Sequence, residues 1–510
     1  NATASTVNPA AVWRSHLAVR SSRWGSGPGS WRDMPDRLPD GGNRPATGPT
    51  ATSAGRRRRW RVPMWRRGAD RFQHPAQVIA GGFAAAIALG TALLMLPAAS
   101  RSGTSPPLID ALFTATSAVC VTGLVVVDTG GHWSAFGQLV IMGLIQIGGL
   151  GIMTLATLFT VLLSRRLGLR ARFLAQAETK TLSLRDVRRV VRNIVLFSLA
   201  SELVVALVLT VRFAVGYDYQ LGRAAYHGVF HAVSAFNNAG FALYTDSLMR
   251  FAADPWITTT VALAVIVGGL GFPVVFELLR RWHRPRLWSV LTRITVVLTA
   301  SLLAVGTIVF TLVELRNPAT FGPLDGAHKV LAGFFASVMT RTAGFNSVDI
   351  AAMRPESLLL SDILMFIGGG SAGTAGGVKV TTVGLLAFVL WAEMRGETRV
   401  NVGSRRVPEG NQRQALAVLL LSLGAVAVAT FTLLAMTRYP LDQVLFEVVS
   451  AFGTVGLSTG ITAGLPPAAD VLLVVLMFMG RIGPLTVASA LALRERSRRY
   501  ELPEERIIVG

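Results

Sequence analysis

The chain has 510 residues, 51% of them hydrophobic and 15% charged, and a mean hydropathy of +0.50, which is more apolar surface than a soluble domain hides. Its formal charge of +21, with 46 of the 49 basic residues arginine, gathers in connections and tails rather than on one face, so nucleic acid is excluded as a partner. The single cysteine, Cys120, excludes an internal disulfide and a cysteine-rich metal site and reads as a small core residue.

Residues 1–74 are rich in Ser, Gly, Pro and Arg, include Arg56-Arg57-Arg58-Arg59 and hold no apolar run long enough to span a membrane. They read as a disordered cytoplasmic extension whose arginine cluster sits on anionic lipid headgroups. The stretch lacks the apolar core of a secretory signal, and a mitochondrial-type transit peptide is the weaker fit to its arginine-rich start.

Eight apolar runs follow, at 75–97, 137–163, 191–215, 256–279, 290–315, 358–391 (interrupted), 414–437 and 470–493. Each has about 20 residues or more, enough for a helix to cross a hydrocarbon core roughly 30 Å thick. Arginines crowd the connections at 165–192, 280–293 and 395–413 and the tail at 494–499, which are alternate connections of an eight-helix chain. The positive-inside rule makes that side the cytoplasm, with both termini inside and the chain a multi-pass protein of the plasma (inner) membrane. The opposite connections carry Asp110, Asp128, Asp246, Asp325, Asp349, Asp442 and Glu447. These either form a vestibule that concentrates cations or are solvated one by one.

Four short stretches between apolar runs place a phenylalanine ten residues before a glycine: FTATSAVCVTGL (Phe113 to Gly123), FHAVSAFNNAGF (Phe230 to Gly240), FFASVMTRTAGF (Phe334 to Gly344) and FEVVSAFGTVGL (Phe446 to Gly456). The glycines are 117, 104 and 112 residues apart. Close helix packing explains one such glycine. Four in register imply one unit used four times, with approximate limits 75–185, 186–287, 288–407 and 408–500, and a tail at 501–510. The predicted fold is an all-α integral membrane protein of four helix–pore loop–helix units, related by pseudo-fourfold symmetry around a central ion pore. Each stretch is too short to cross twice and fits a half-crossing helix followed by an extended strand, tolerated at that depth only where protein buries it or water reaches it. Backbone carbonyls of Val121-Thr122-Gly123, Asn238-Ala239-Gly240, Thr342-Ala343-Gly344 and Thr454-Val455-Gly456 would replace the hydration shell of a monovalent cation, facing the negative ends of the pore helices.

With these residues in view, TATSAVCVTGLVVVDTG followed by IQIGGLGIMTLATL is similar to the first repeat of the Trk/Ktr/HKT superfamily of potassium transporters, and SAFNNAGF, MTRTAGFN and SAFGTVGLSTG extend the resemblance over roughly residues 75–500. Nothing before residue 75 can span, so the resemblance is nearer to the eight-helix, Ktr-type membrane subunit. It implies potassium uptake through a single-chain pore, with potassium held at the filter carbonyls. It further implies a homodimer and a separate cytoplasmic ring of nucleotide-binding regulatory subunits. Glycine stands in all four filters where some sodium-preferring relatives have serine in the first, which implies a preference for potassium. Sodium enters as an activator or coupled ion, and no organic cofactor is implied on this chain.

After each filter the returning segment carries a glycine group: Gly148-Gly149-Leu150-Gly151, Gly268-Gly269-Leu270-Gly271, Gly368-Gly369-Gly370 and Gly480-Arg481-Ile482-Gly483. Arg481 stands in the last of them. A guanidinium at membrane depth costs at least about 2.5 kcal/mol and faces a water-filled cavity or a partner. Below the filters it would repel cations; paired with a carboxylate it would instead be structural. Between Gly368 and Thr382 the sequence GGGSAGTAGGVKVTT is too glycine-rich for a continuous helix. It resembles the family's intramembrane gating loop, with Gly370, Gly373, Gly376 and Gly377 in its span and Lys379 at its cytoplasmic end. Its formal G-x-G-x-x-G lacks the strand–turn–helix and acidic residue of a dinucleotide fold, so a regulatory nucleotide belongs to another chain.

Glu202 lies centrally in the third run and is either functional or an acceptor for nearby serines in a helix interface. His132, His227, His231 and His328 lack metal-ligand spacing and read as interfacial. An intramembrane enzyme would need clustered titratable or nucleophilic residues, and the spans offer scattered single charges. A broken-helix secondary transporter would have inverted repeats, whereas these units run parallel. That transporter and a sodium-preferring member of the same superfamily are the alternative readings.

Overall fold

The structure, a computed structural model, describes residues 75–166, 184–397, 399–402 and 405–484. The expectations for the extension 1–74, for the arginines at 167–183 and for the tail from 485 lie outside the described residues.

The described chain is mostly helical, and one order of elements recurs four times. Helix α1 (Pro75–Leu94) leads to the shorter α2 (Leu108–Cys120) and then to α3 (Ala135–Arg166). The second round is α4 (Leu184–Gly216), α5 (Leu221–Phe236), α6 (Pro255–Leu270) and α7 (Phe272–Arg281). The third is α8 (Val290–Glu314), α9 (Gly326–Met339), α10 (Pro355–Phe366) and α11 (Val380–Met394). A pair of two-residue antiparallel strands, β1 (Asn401–Val402) and β2 (Arg405–Arg406), precedes the fourth, α12 (Glu409–Met436), α13 (Leu441–Gly453) and α14 (Pro467–Ile482). Local chemistry sets the starts. Pro255, Pro355 and Pro467 occupy the first turns of α6, α10 and α14, where a missing N–H costs nothing. Asp254 caps α6 by accepting from the Trp256 amide at 3.0 Å, while Arg212 Nε donates to its second oxygen at 2.8 Å.

Three described helices are long and apolar enough to cross a membrane: Arg189–Gly216 within α4, α8 and α12. The α6–α7 pair is apolar enough when taken together but is bent by 103°, the form of a broken span or a re-entrant loop. Three of the eight apolar runs are not continuous helices, and of these the interruption within 358–391 is the one the sequence leads one to expect. The run at 256–279 breaks at Gly271, whose φ of 89° ends α6, with Pro273 in the first turn of α7. The run at 358–391 ends at Phe366 and resumes at Val380. The run at 470–493 breaks after Ile482, where Gly483 has φ 94° and Pro484 follows, and its residues from 485 lie outside the described ones.

Each returning helix packs on the short helix of the next round: α3 on α5, α6 on α9, α10 on α13, and α14 back on α2. The core follows that circle. Phe113, Phe230 and Phe446 of the sequence pattern are buried, whereas in the third round Phe334 is half-buried and its neighbour Phe335 takes the buried place.

One buried carboxylate organises the connection after α8. Glu314 accepts hydrogen bonds from Asn317 Nδ2 at 2.6 Å, Thr320 Oγ1 at 2.7 Å, Ser357 Oγ at 2.5 Å and the Arg354 amide at 2.9 Å. Hydrogen bonds to a charged group contribute about 1.5–3 kcal/mol each, and stranded donors cost more. Glu314→Ala is expected to lower the thermal midpoint of the detergent-solubilised protein well below that of Glu314→Gln, and equal midpoints for the two variants would contradict the assignment.

Candidate functional site

The four glycine triplets meet. A methyl group on Gly123 would strike the Ala239 carbonyl and lie 3.1 Å from Gly240 Cα. On Gly240 it would lie 2.8 Å from Ala343 O and 2.9 Å from Gly344 Cα; on Gly344 it would strike Val455 O; on Gly456 it would strike Thr122 O and lie 3.0 Å from Gly123 Cα. The contacts run 123 to 240 to 344 to 456 and back to 123, a closed circle in which each glycine receives the carbonyl of the neighbouring triplet's middle residue. All four glycines have positive φ (93°, 71°, 75° and 94°), so a side chain is barred by conformation as well as by space.

The local sequence makes this turn in the same way each time. The residue two before each glycine, Val121, Asn238, Thr342 or Thr454, adopts φ of 57°, 59°, 70° or 50°, a strained left-handed conformation for three β-branched residues. It ends the short helix and sends the next residues away as extended chain. Amides just beyond it bond back to orphan helix carbonyls: Thr122 N to Ser117 O at 2.7 Å, Ala239 N to Ser234 O at 2.7 Å, Gly344 N to Met339 O at 3.4 Å and Val455 N to Ser450 O at 2.9 Å. Sequence reasoning missed two serines that brace the glycines themselves. Ser117 Oγ accepts from Gly123 N at 3.0 Å and Ser450 Oγ accepts from Gly456 N at 3.1 Å. The visible signal was the Ser-Ala pair that precedes three of the four triplets at the same distance.

Below the circle lies the loop between α10 and α11. Its base is tied by Gly368 N to Val378 O at 2.8 Å and Val380 N to Gly369 O at 3.0 Å. Its body docks on α6, whose early end leaves carbonyls free: Gly269 O accepts from Gly370 N at 2.8 Å and Gly268 O from Thr374 N at 3.2 Å. The break at Gly271 makes this possible, since a side chain there would strike Ser371 O. Gly373 packs on the same end of α6, Gly376 backs onto Thr454 Oγ1, and Gly377 has φ 63° near Gly453. Lys379 precedes α11, and its ammonium donates to the Ala375 carbonyl.

Arg481 is 2% exposed at the end of α14. Its guanidinium donates to the Thr374 carbonyl and, at 3.1 Å, to Gly148 O of α3. Among the described residues no carboxylate pairs with it, so it reaches the loop and the first round as an un-neutralised charge. A second buried arginine escaped the sequence reading. Arg341, next to Thr342, donates to Gly368 O at 3.1 Å and Thr299 O at 3.4 Å. It lay in view within MTRTAGFN, without a run of charges to mark it.

The remaining candidates are distributed otherwise. Glu202 is buried between α3, α4 and α5, accepting from Ser198 Oγ at 3.0 Å, Gln146 Nε2 at 3.0 Å and Asn237 Nδ2 at 3.1 Å. It braces the residue before Asn238. Cys120 is buried as expected. Glu447 is not in a vestibule: it is fully buried and accepts from Ser458 Oγ at 2.9 Å and from Thr462 Oγ1, because its place on α13 faces the strand that leaves the triplet. Asp128 caps Gly131 N at 2.7 Å, Asp246 pairs with Arg250 at 2.6 Å and Asp349 accepts from Ala351 N at 3.0 Å. Asp325 lies 3.9 Å from His328, and Asp110 and Asp442 stand in the first turns of α2 and α13. His231 is buried rather than interfacial, bonded through Nδ1 to His227 O at 2.7 Å and stacked on Tyr244 at 5.2 Å. His227 stacks on the same ring, and His132 packs edge-on against Trp133.

Comparison with known proteins agrees with this architecture. The profile of the TrkH family, described as cation transport protein, matches residues 54–501. The chain is 42% identical over 439 residues to the Ktr system potassium uptake protein B of Bacillus subtilis, covering 86% of this chain and 97% of that one. It is 41% identical to the protein of the same name from Vibrio alginolyticus (82% and 91% covered) and 37% identical to the potassium/sodium uptake protein NtpJ of Enterococcus hirae (86% and 97%). The crystal structure of the potassium transporter TrkH from Vibrio parahaemolyticus superposes with a TM-score of 0.66 at 17% identity, covering 82% of this chain and 84% of that one, which is a likeness of fold. The chain is thus a multi-pass membrane protein and belongs to the TrkH family of cation transport proteins.

Proposed function

We infer that this chain is the ion-translocating membrane subunit of a potassium uptake system. Four units, at 75–185, 186–287, 288–407 and 408–500, surround one axis and together make eight crossings, with both termini cytoplasmic. The observation that carries this reading is the closed circle of the four glycine triplets, with the carbonyls of Thr122, Ala239, Ala343 and Val455 turned toward neighbouring triplets. Such oxygens replace the hydration shell of a dehydrated monovalent cation, and four short helices end there with their negative poles toward it. The triplets serve as selectivity filter. The names of relatives as potassium uptake proteins support the choice of ion.

The path beneath the filter is controlled by the loop 368–382 and Arg481. Arg481 presents positive charge where a cation must pass and fastens the loop by its Thr374 carbonyl. The loop, with Gly370, Gly373, Gly376 and Gly377 supplying close approach and Lys379 at its exit, must withdraw for ions to leave the filter. A homodimer and a separate cytoplasmic nucleotide-binding ring complete the system, a reading supported by relatives named as parts of a Ktr system. A second reading, in which sodium is also carried, coupled or activating, is favoured by the potassium/sodium name of the Enterococcus hirae relative.

Rubidium uptake into liposomes holding the purified protein tests the reading, with potassium or sodium as competitor. Competition by potassium alone is expected, equal competition by sodium would favour the second reading, and no flux even with a regulatory ring added would overturn both. Arg481→Ala is expected to raise uptake roughly tenfold, equivalent to about 1.4 kcal/mol off the barrier, with the competition pattern unchanged. Gly123→Ser is expected to weaken discrimination against sodium, and retention of the wild-type competition pattern would remove Gly123 from the filter.

A further inference from the structure

The loop touches more than the arginine barrier. Thr374, fully buried at its centre, is held by three groups from two other units: its amide donates to Gly268 O and its hydroxyl to Asn238 Oδ1 at 3.0 Å, both of the second, and its carbonyl accepts from Arg481 of the fourth. The hydroxyl contact reaches the second triplet directly. Asn238 is the left-handed residue on which that triplet turns, and its side chain is 136 residues away in sequence from the threonine that orients it. Its Nδ2 is buried without a hydrogen-bond partner among the described residues, so Thr374 supplies the one hydrogen bond that the side-chain amide makes there. Two residues on, Gly376 backs onto Thr454, the left-handed residue of the fourth triplet. The equivalent residue of the first triplet, Val121, leans on Gly148 of α3 instead.

Resting on the filter reading above, we propose that Thr374 is a positioning residue that couples the filter to the loop: its hydroxyl makes the docked position of the loop depend on whether the carbonyl circle holds potassium. The physical step is linkage. A cation in the circle favours the triplet geometry in which Asn238 stands where the structure has it. That geometry is also the one in which Asn238 Oδ1 meets Thr374. A ligand that favours one of two states of an element is favoured by that state in return, so potassium binding and loop docking strengthen each other. An ion that fits the circle poorly gives the loop no such support. A filled filter thereby keeps the loop seated against leak until something acts on the loop from elsewhere.

Hydrogen–deuterium exchange on the full chain reads this without relying on flux. The reporting amides are those of Gly370 and Thr374, which bond to the end of α6 in the docked loop. In wild-type protein, potassium in place of sodium is expected to slow exchange across 368–379 by roughly fivefold or more, the lower end of ordinary coupling between sites. Thr374→Ser, which keeps the hydroxyl, is expected to retain that difference, and Thr374→Val to lose it. Arg481→Ala is expected to speed exchange in both salts while the potassium effect persists. Equal exchange of the wild-type loop in potassium and sodium, with rubidium uptake intact, would overturn the coupling and leave the filter reading standing. So would a potassium effect preserved in Thr374→Val. Absence of both rubidium uptake and any potassium effect would bring down the filter reading itself.

Discussion

Everything in this structure depends on how an extended backbone survives at membrane depth. A peptide group facing hydrocarbon without a partner costs several kcal/mol, which is why spans are helices or closed barrels. Here four pieces of chain leave the helix at one level. Each returns one amide to its own helix end, and each turns carbonyls toward the next piece. No single piece solves the problem alone, because its carbonyls have neither water nor ladder partners. The four meet in one closed circle, and on the filter reading proposed above the space they enclose is where an ion or water serves those carbonyls. That need explains the backbone strain at Val121, Thr342 and Thr454, where β-branched residues occupy a conformation they ordinarily avoid. It also explains why glycine follows two residues later each time.

The same reasoning accounts for the two buried arginines. Guanidinium groups keep their charge under nearly any burial and carry five donors. Neither Arg341 nor Arg481 is given a carboxylate among the described residues; both spend their donors on backbone carbonyls. Carbonyl dipoles lower the cost of burial without cancelling the field. A carboxylate beside Arg481 would have neutralised the charge on which the proposed barrier depends. The two differ in geometry: Arg341 grips the base of the loop at Gly368, and Arg481 grips its centre at Thr374.

Much of this was legible in the sequence, because repetition is a strong signal. The four triplets, the glycine-rich interruption at 368–377 and the isolated Arg481 each broke a pattern that one-dimensional reading detects. What was not legible were facts of distance. Glu447 read as a vestibule carboxylate because its position in the chain is close to an outer connection, yet its face of α13 turns inward to Ser458 and Thr462. His231 misled in the same way. The breaks at Gly271 and Gly483 did have a local sign, a proline within two residues of a glycine, but hydropathy alone runs across it. Thr374 left no sign at all, since its partners lie 136 residues upstream and 107 downstream.

The departure of one unit from the pattern is itself informative. A carbonyl circle needs four near-equivalent contributions, and sequence variation within the triplets is accordingly confined to side chains that do not disturb the backbone. A single inserted loop needs only one contribution. Four loops like 368–377 would compete for the same small volume, and the three other units must instead be shaped around the single one. The structure divides that labour: α6 stops at Leu270 and offers carbonyls, α14 stops at Ile482 and offers Arg481, and α3 runs on unbroken and offers Gly148 O to the arginine. Fourfold repetition therefore persists at the circle of glycine triplets and lapses at the single loop, where the helices that receive it must differ.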